Sequence, residues 1–130
     1  MGRKMRKEDI LTNQISNYLQ IQYPKVIFHF DLSSGGKTSI GMAVRNKKIN
    51  PWRGYPDLFI CQPTTKYAGL FIELKVDEVM TKKGYLKKNK HIEEQFQIMQ
   101  KLSMKGYTCM FGVGFEKTKN IIDNYLKHSL

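Results

Sequence analysis

Residues 56–75 of the chain read PDLFICQPTTKYAGLFIELK. Two short apolar segments flank a polar turn, and this pattern predicts a β-hairpin. Counting outward from the turn places Asp57 opposite residues 72–74, and adjacent strands lie about 4.8 Å apart. The carboxylates of Asp57 and Glu73 are therefore expected to lie close enough to share one ion.

Glu73 and Lys75 are two positions apart on the second strand, so their side chains point to the same face. The other face is expected to be buried and consists of Leu70, Ile72, Leu74 and Val76. Two carboxylates this close repel each other without a cation, and hard ions such as Mg²⁺ or Mn²⁺ prefer oxygen ligands. Such an ion can activate water and polarise a phosphate, while Lys75 can stabilise the charge that builds there. The alternative is a purely structural polar face, because isolated Pro-Asp or Glu-x-Lys sequences are common.

The remaining elements follow from hydrophobic periodicity and from the positions of Gly and Pro. They are a helix at residues 8–22, a strand at 26–30, a loop at 31–54 with a short helix near 41–44, strands at 56–61 and 68–76, a helix at 91–104, a strand at 107–113 and a helix at 115–127. The order is α-β-β-β-α-β-α, with no repeat and no domain boundary. In a chain of 130 residues, we expect one α/β domain over residues 1–130 with a single core.

The chain is strongly basic, with 22 Lys and Arg against 11 Asp and Glu and a net charge of +11. This excess favours a polyanionic partner, with DNA first. Basic residues flank the expected site before Asp57 and after Lys75. The candidates for binding the DNA backbone are Lys37, Arg45, Lys47, Lys48, Arg53, Lys82, Lys83, Lys87 and Lys88. Trp52, Tyr55 and Tyr85 lie among them and can stack on exposed bases, although the alternative is a set of solvated charged loops.

Three further polar residues are candidates for the site. Gln95 shares a helix face with apolar residues, so its amide is expected to face inward, where it needs a hydrogen-bond partner. Glu8 shares a face with the apolar residues of the first helix, although the helix dipole also favours an acid at this end. His29 has the opposite parity to its strand neighbours and faces either the site or solvent.

Other functions and sites are excluded by the sequence. No apolar run approaches the ~18 residues of a membrane span, and no signal peptide follows the basic N-terminus. The Gly-Lys-Thr of residues 36–38 does not complete a nucleotide-binding loop, because the first glycine of that motif would fall on Asp31; no nucleotide cofactor is expected. Asp77 and Glu78 lie past a strand end, where charges are usually solvated. Cys61 and Cys109 are expected to be buried, reduced thiols of a cytoplasmic protein.

The segments 54–58 (GYPDL) and 69–75 (GLFIELK) resemble the active-site signature of the PD-(D/E)XK nuclease superfamily. Within it, the chain is most similar to the VRR-NUC branch, in the small stand-alone form found in phages and prophages. Residues 94–107 resemble the glutamine-bearing helix and following strand of that branch, and residues 112–126 resemble its last strand and helix. The resemblance covers nearly the whole chain and departs between residues 76 and 95, where this chain is longer and more basic.

The resemblance implies a restriction-endonuclease-like αβββαβ core, with a mixed sheet flanked by helices, and metal-dependent phosphodiester hydrolysis. It implies that Asp57, Glu73 and the Leu74 carbonyl bind Mg²⁺ or Mn²⁺. Lys75 would be the catalytic lysine, and Gln95 and Glu8 would be accessory residues of the active site. Small members resemble Holliday-junction resolvases and often act as homodimers. A phage-encoded protein of this kind would act in the cytoplasm of the bacterial host cell.

The sequence therefore predicts a divalent-metal-dependent DNA endonuclease that is selective for branched, flap or four-way-junction DNA. Two alternatives stay open. One is a sequence-specific restriction-type endonuclease on the same core, which would have a fixed recognition site. The other is a non-catalytic, basic nucleic-acid-binding module whose carboxylates are structural and whose binding is unaffected by a chelator.

Overall fold

Four strands and four helices make up the part of the chain that the computed structural model describes, residues 5–32 and 39–130. In chain order they are α1 (Lys7–Gln22), β1 (Phe28–Phe30), α2 (Ile40–Ile49), β2 (Leu58–Ile60), β3 (Leu70–Lys75), α3 (Lys90–Ser103), β4 (Thr108–Val113) and α4 (Gly114–Leu126). No helix within these ranges is both long and apolar enough to cross a membrane.

The strands form one mixed sheet in the order β1-β2-β3-β4. β2 pairs antiparallel with both β1 and β3, whereas β3 and β4 are parallel. A parallel pair needs a crossover connection, and α3 lies in the one between β3 and β4. The predicted α/β fold, with an αβββαβ core and a mixed sheet flanked by helices, is confirmed.

The main core lies on the face of the sheet that α1 and α4 cover. Alternation in the central strands sends Leu58, Ile60 and Ile72 to this face, where all three are fully buried. Ile15 of α1 and Ile122 of α4 belong to the same apolar cluster, and burying each such side chain contributes about 1.5–3 kcal/mol. The polar residues of the motif alternate with these core residues, so the sheet itself separates them from the core.

A polar cluster joins α1 to α4 behind the sheet. The hydroxyls of Tyr18 and Tyr23 both donate to Asp123 Oδ1, each at 2.6 Å. Lys119 Nζ donates to the other carboxylate oxygen of Asp123 at 3.3 Å. Burial and the hydrogen bonds to Asp123 raise the pKa of Tyr18 and of Tyr23, so both tyrosines stay protonated donors and hold α1 and α4 together.

The second helix is longer than the sequence pattern indicates. The pattern predicts a loop with a short helix near residues 41–44, whereas α2 runs over ten residues, Ile40–Ile49. Ser39 caps this helix, because its side chain accepts a hydrogen bond from the Met42 N–H at 3.2 Å. The sequence gives a weak signal for α2 because none of its residues is buried and it lacks an apolar stripe.

The two cysteines are free thiols, but they are less buried than predicted. Cys109 is half-buried, whereas Cys61 is exposed, so the prediction of a buried thiol at residue 61 is wrong. Cys61 directly follows β2, and the helix on that side of the sheet, α3, packs against β4 instead. Nothing in the described part of the chain therefore covers the end of β2 at this position.

Candidate active site

Asp57 and Glu73 lie side by side on neighbouring strands. The register pairs Leu58 with Ile72, which brings the preceding residue, Asp57, next to Glu73. Asp57 Oδ2 accepts a hydrogen bond from the Leu74 N–H at 2.9 Å. Asp57 is thus opposite residues 72–74, as the count from the turn predicts.

Glu73 is almost completely withdrawn from solvent, with 4% of its surface exposed. Burial, a hydrogen bond with Asp57 and the negative charge of Asp57 raise the pKa of Glu73 far above its ordinary value, while the charge of Lys75 opposes the shift. Without a cation, the Glu73 carboxyl group therefore favours its protonated form at neutral pH. A buried acid beside a second carboxylate favours the binding of positive charge.

Lys75 completes the motif at the end of β3. It is half-buried and has the same parity as Glu73, so both side chains belong to one face of the strand. The positive charge of Lys75 lowers the pKa of Glu73, against the stronger effects that raise it. The face opposite the core thus combines two acids with one cation.

A third carboxylate, Asp31, comes from the strand on the other side of β2. Its N–H donates to the Asp57 carbonyl oxygen at 2.7 Å, and its charge also raises the pKa of Glu73. Asp31 was not among the site residues selected from the sequence. The sequence does contain a signal for Asp31, because this residue directly follows β1 and is two positions from His29. Asp31 is therefore expected on the same face of the sheet as His29, which pairs with Phe59.

Gln95 lies where α3 makes a close contact with the segment before β2. Gly54 has a φ of +79°, and a Cβ added there would lie 2.9 Å from Gln95 N and 3.0 Å from its Cα. The two backbones therefore touch, which only a glycine allows. Within the described residues, Gln95 Oε1 is buried without a hydrogen-bond partner. A buried amide oxygen needs a donor, and a water or ligand of the site can supply it.

Glu8 and His29 are not brought into the carboxylate pair. Glu8 is exposed in the first turn of α1, and no hydrogen bond or ion pair between described residues links its carboxylate to Asp57 or Glu73. Its role as a further acid stays a prediction. His29 is exposed on β1 opposite Phe59, on the face of the site but without a contact to the pair among the described residues.

The donor set suits a hard divalent ion. It consists of oxygen atoms, from the carboxylates of Asp57 and Glu73 and the carbonyl of Leu74. No group of three or more His, Cys, Asp and Glu side chains that could hold a metal is found within residues 5–32 and 39–130. Mg²⁺ is commonly bound by one or two carboxylates and keeps several waters. The exposed Glu78 pairs with Lys117 at 2.9 Å, as expected for a solvated charge.

Basic side chains are exposed on two segments that precede Asp57 and follow Lys75 in the sequence. They are Arg45, Lys47 and Lys48 of α2, Arg53 of the following loop, and Lys82, Lys83, Lys87 and Lys88 after β3. Trp52 is 62% exposed, and Lys101 Nζ of α3 lies 5.0 Å from the centre of its ring. Lys37 and the Gly-Lys-Thr sequence at residues 36–38 lie outside the described residues.

A solved structure named VRR_NUC domain protein has the same fold. The two structures match with a TM-score of 0.68 and 23% sequence identity, over 97% of this chain and 93% of that chain. This likeness agrees with the fold that the motif resemblance implies. No protein-family model matches the sequence, and no curated protein matches it.

Proposed function

We propose that this chain is a divalent-metal-dependent DNA endonuclease of the VRR-NUC type, selective for branched, flap or four-way-junction DNA. The observation that carries the proposal is the pairing of Asp57 with the buried Glu73, with Lys75 on the same face. The fold that the chain has in common with a VRR_NUC domain protein supports the nuclease assignment. The net charge of +11 supports DNA as the partner.

Each residue of the site has a chemical task in phosphodiester hydrolysis. Asp57, Glu73 and the Leu74 carbonyl would hold Mg²⁺ or Mn²⁺. When bound, the ion supplies a water of lowered pKa and polarises the phosphate. The ammonium of Lys75 donates hydrogen bonds to the phosphate and offsets the negative charge that builds there. Gln95 accepts a hydrogen bond through its Oε1 and so positions a water or a ligand at the edge of the site.

The two basic segments hold the DNA backbone on either side of the site. Phosphate contacts release counterions, so we expect affinity to fall steeply with salt and to depend little on base sequence. A four-way junction presents two strands for cleavage, and a two-fold homodimer would present two sites to them. We therefore expect sedimentation measurements to show a dimer. We also expect the protein to act in the cytoplasm, where its DNA substrates lie.

A panel of DNA substrates tests the proposal. With Mg²⁺ or Mn²⁺, the protein is expected to cut four-way junctions, flaps and forks faster than continuous duplex, and a chelator should stop the reaction. Cleavage of a random-sequence duplex library at one fixed site would instead support a restriction-type enzyme. Salt-sensitive binding that a chelator leaves unchanged, without cleavage in any metal, would leave only a binding module.

A further inference from the structure

The segment after β3 folds into a small second hairpin, residues 79–87, here called the basic hairpin. Met80 and Leu86 form an antiparallel bridge, and the Lys87 N–H donates to the Val79 carbonyl oxygen at 2.9 Å. Val79 is only 3% exposed, so the base of the hairpin is anchored in the protein. This stretch is therefore a shaped projection and not an unstructured basic loop.

An exposed aromatic ring stands near the tip of the basic hairpin. Tyr85 is 70% exposed, and no ring contact or side-chain hydrogen bond involves it among the described residues. Its backbone is fixed, because the Tyr85 carbonyl oxygen accepts a hydrogen bond from the Thr81 N–H at 2.6 Å. The Thr81 hydroxyl in turn accepts one from the Tyr85 N–H at 3.1 Å. An ordered backbone thus holds the ring out into solvent.

The charged residues next to this ring in the sequence are all basic. Residues 79–92 include five lysines and contain no Asp or Glu. The preceding acid, Glu78, is paired with Lys117 at 2.9 Å, which reduces its effect on the tip. The basic hairpin therefore complements the phosphate backbone of a nucleic acid.

The basic hairpin lies at the end of the sheet that carries the carboxylate pair. It leaves the sheet just after Lys75, the last residue of β3. Seven peptide steps separate Lys75 from Lys82, so the tip lies within about 25 Å of Lys75. One turn of B-form DNA spans about 34 Å, so a single DNA molecule can contact both places at once.

We propose that the basic hairpin recognises an unpaired base beside a duplex, with Tyr85 stacked on that base and the tip lysines on the neighbouring phosphates. In a continuous duplex, stacking covers both faces of each base, so a tyrosine ring finds a free face only at a fork, flap, gap or end. The ring would therefore select the substrate, while Asp57 and Glu73 would act on the phosphodiester. This inference rests on the proposed endonuclease function and adds the element that chooses the DNA structure.

The test measures binding in a Glu73→Gln background, where the DNA stays intact. Affinities are compared for a forked DNA with one unpaired arm and for a continuous duplex of the same length. We expect the fork to be preferred, and Tyr85→Ala to lower fork affinity by about tenfold with a smaller effect on duplex. Tyr85→Phe keeps the ring and should keep the preference. Tyr67→Ala, at the turn on the opposite end of the sheet, is the control and should also keep it.

A fluorescent base analogue gives a second readout. 2-Aminopurine is placed as the first unpaired base of the fork, and its fluorescence is measured as protein binds. The fluorescence should be quenched by the protein that retains Tyr85 and by Tyr85→Phe, but not by Tyr85→Ala. An unchanged fork-to-duplex ratio in Tyr85→Ala would overturn the inference. So would equal losses in Tyr85→Phe and Tyr85→Ala, since that result identifies a hydroxyl contact to phosphate. Fork binding through Tyr85 by a protein that cuts no DNA with any metal would overturn the proposed function alone.

Discussion

The carboxylate of Asp57 accepts a hydrogen bond from the backbone N–H of Leu74, at 2.9 Å. This bond ties the start of β2 to the end of β3 and leaves the Asp57 carboxyl group beside Glu73. Backbone register therefore sets the position of the pair, and a slip of one residue would send one carboxylate to the other face of the sheet. The chemistry of the site depends on this register.

Gly54→Ala is expected to destabilise the protein by about 2–4 kcal/mol and to reduce DNA cleavage. The new Cβ would lie 2.9 Å from Gln95 N, so the segment that leads to Asp57 would have to move away from α3. Gly106→Ala is the matched control, because Gly106 also has a positive φ, +98°, but open space around its Cβ; it should cost about 1–2 kcal/mol. Urea denaturation measures both, and equal losses would contradict a packing role for Gly54.

Gln95→Leu is expected to lower the cleavage rate without lowering the stability of the protein. Removal of a buried oxygen that has no partner among the described residues should leave the free energy of unfolding unchanged or raise it. Cleavage should fall by about 10–100-fold if the amide positions a group of the active site. Gln97→Leu, at an exposed position of the same helix, should leave the cleavage rate unchanged. Full activity in Gln95→Leu would assign the amide no role in catalysis.

Glu73→Gln is expected to stabilise the metal-free protein in a pH-dependent way. The folded-state pKa of Glu73 is raised above its ordinary value of 4.5, so the folded state binds more protons than the unfolded state above that pH. The contribution of Glu73 to stability is therefore full below pH 4.5 and is lost as the pH rises toward the folded-state pKa. In a chelator, the stability advantage of Glu73→Gln should grow from about pH 5 to about pH 8.

Without the ion, Glu73→Gln is expected to be more stable than the unsubstituted protein. Mg²⁺ should reverse this difference, because it stabilises only the protein that retains Glu73. Thermal unfolding with and without the ion measures both effects. An advantage of Glu73→Gln that does not change with pH would contradict the raised pKa of Glu73.

Asp123→Asn is expected to cost about 1–2 kcal/mol, because two tyrosine hydroxyls and Lys119 bind its charged carboxylate in a half-buried position. Burial alone would raise the pKa of Asp123, but the hydrogen bonds from Tyr18 and Tyr23 outweigh it and lower the pKa below 3.8. Its contribution is therefore present above pH 3.8 and is lost as the pH falls through the folded-state pKa. Denaturation at neutral pH measures the cost, and Glu78→Gln, at an exposed pair, should change nothing measurable.

The hairpin of the motif could be predicted because its information is local. Strand alternation and the count from the turn are properties of residues 56–75 alone, and they place Asp57, Glu73 and Lys75 correctly. The order of strands and helices follows likewise from apolar periodicity within each segment. The long helix α2 was underestimated because a helix without a buried face leaves no such pattern.

The features that the sequence did not reveal depend on contacts between distant segments. Asp31 joins the site only because β1 pairs with β2, and Gly54 touches Gln95 only because α3 packs against the segment before β2. Cys61 follows the apolar strand β2, but it is exposed because α3 packs against β4 and not over the end of β2. The basic hairpin is a further example. Its lysines are evident from the sequence, but its hairpin structure is known only from the backbone pairing.

The assignment of the carboxylate pair as the catalytic metal site is tested most directly by single-turnover cleavage of forked DNA in Mg²⁺. The assay compares the unsubstituted protein with Glu73→Gln and Glu78→Gln. Both substitutions remove one carboxylate charge, but only Glu73 adjoins Asp57. The unsubstituted protein and Glu78→Gln are expected to cut at the same rate, with Glu73→Gln reduced to background while it still binds the fork. Cleavage by Glu73→Gln at the rate of the other two would contradict the assignment.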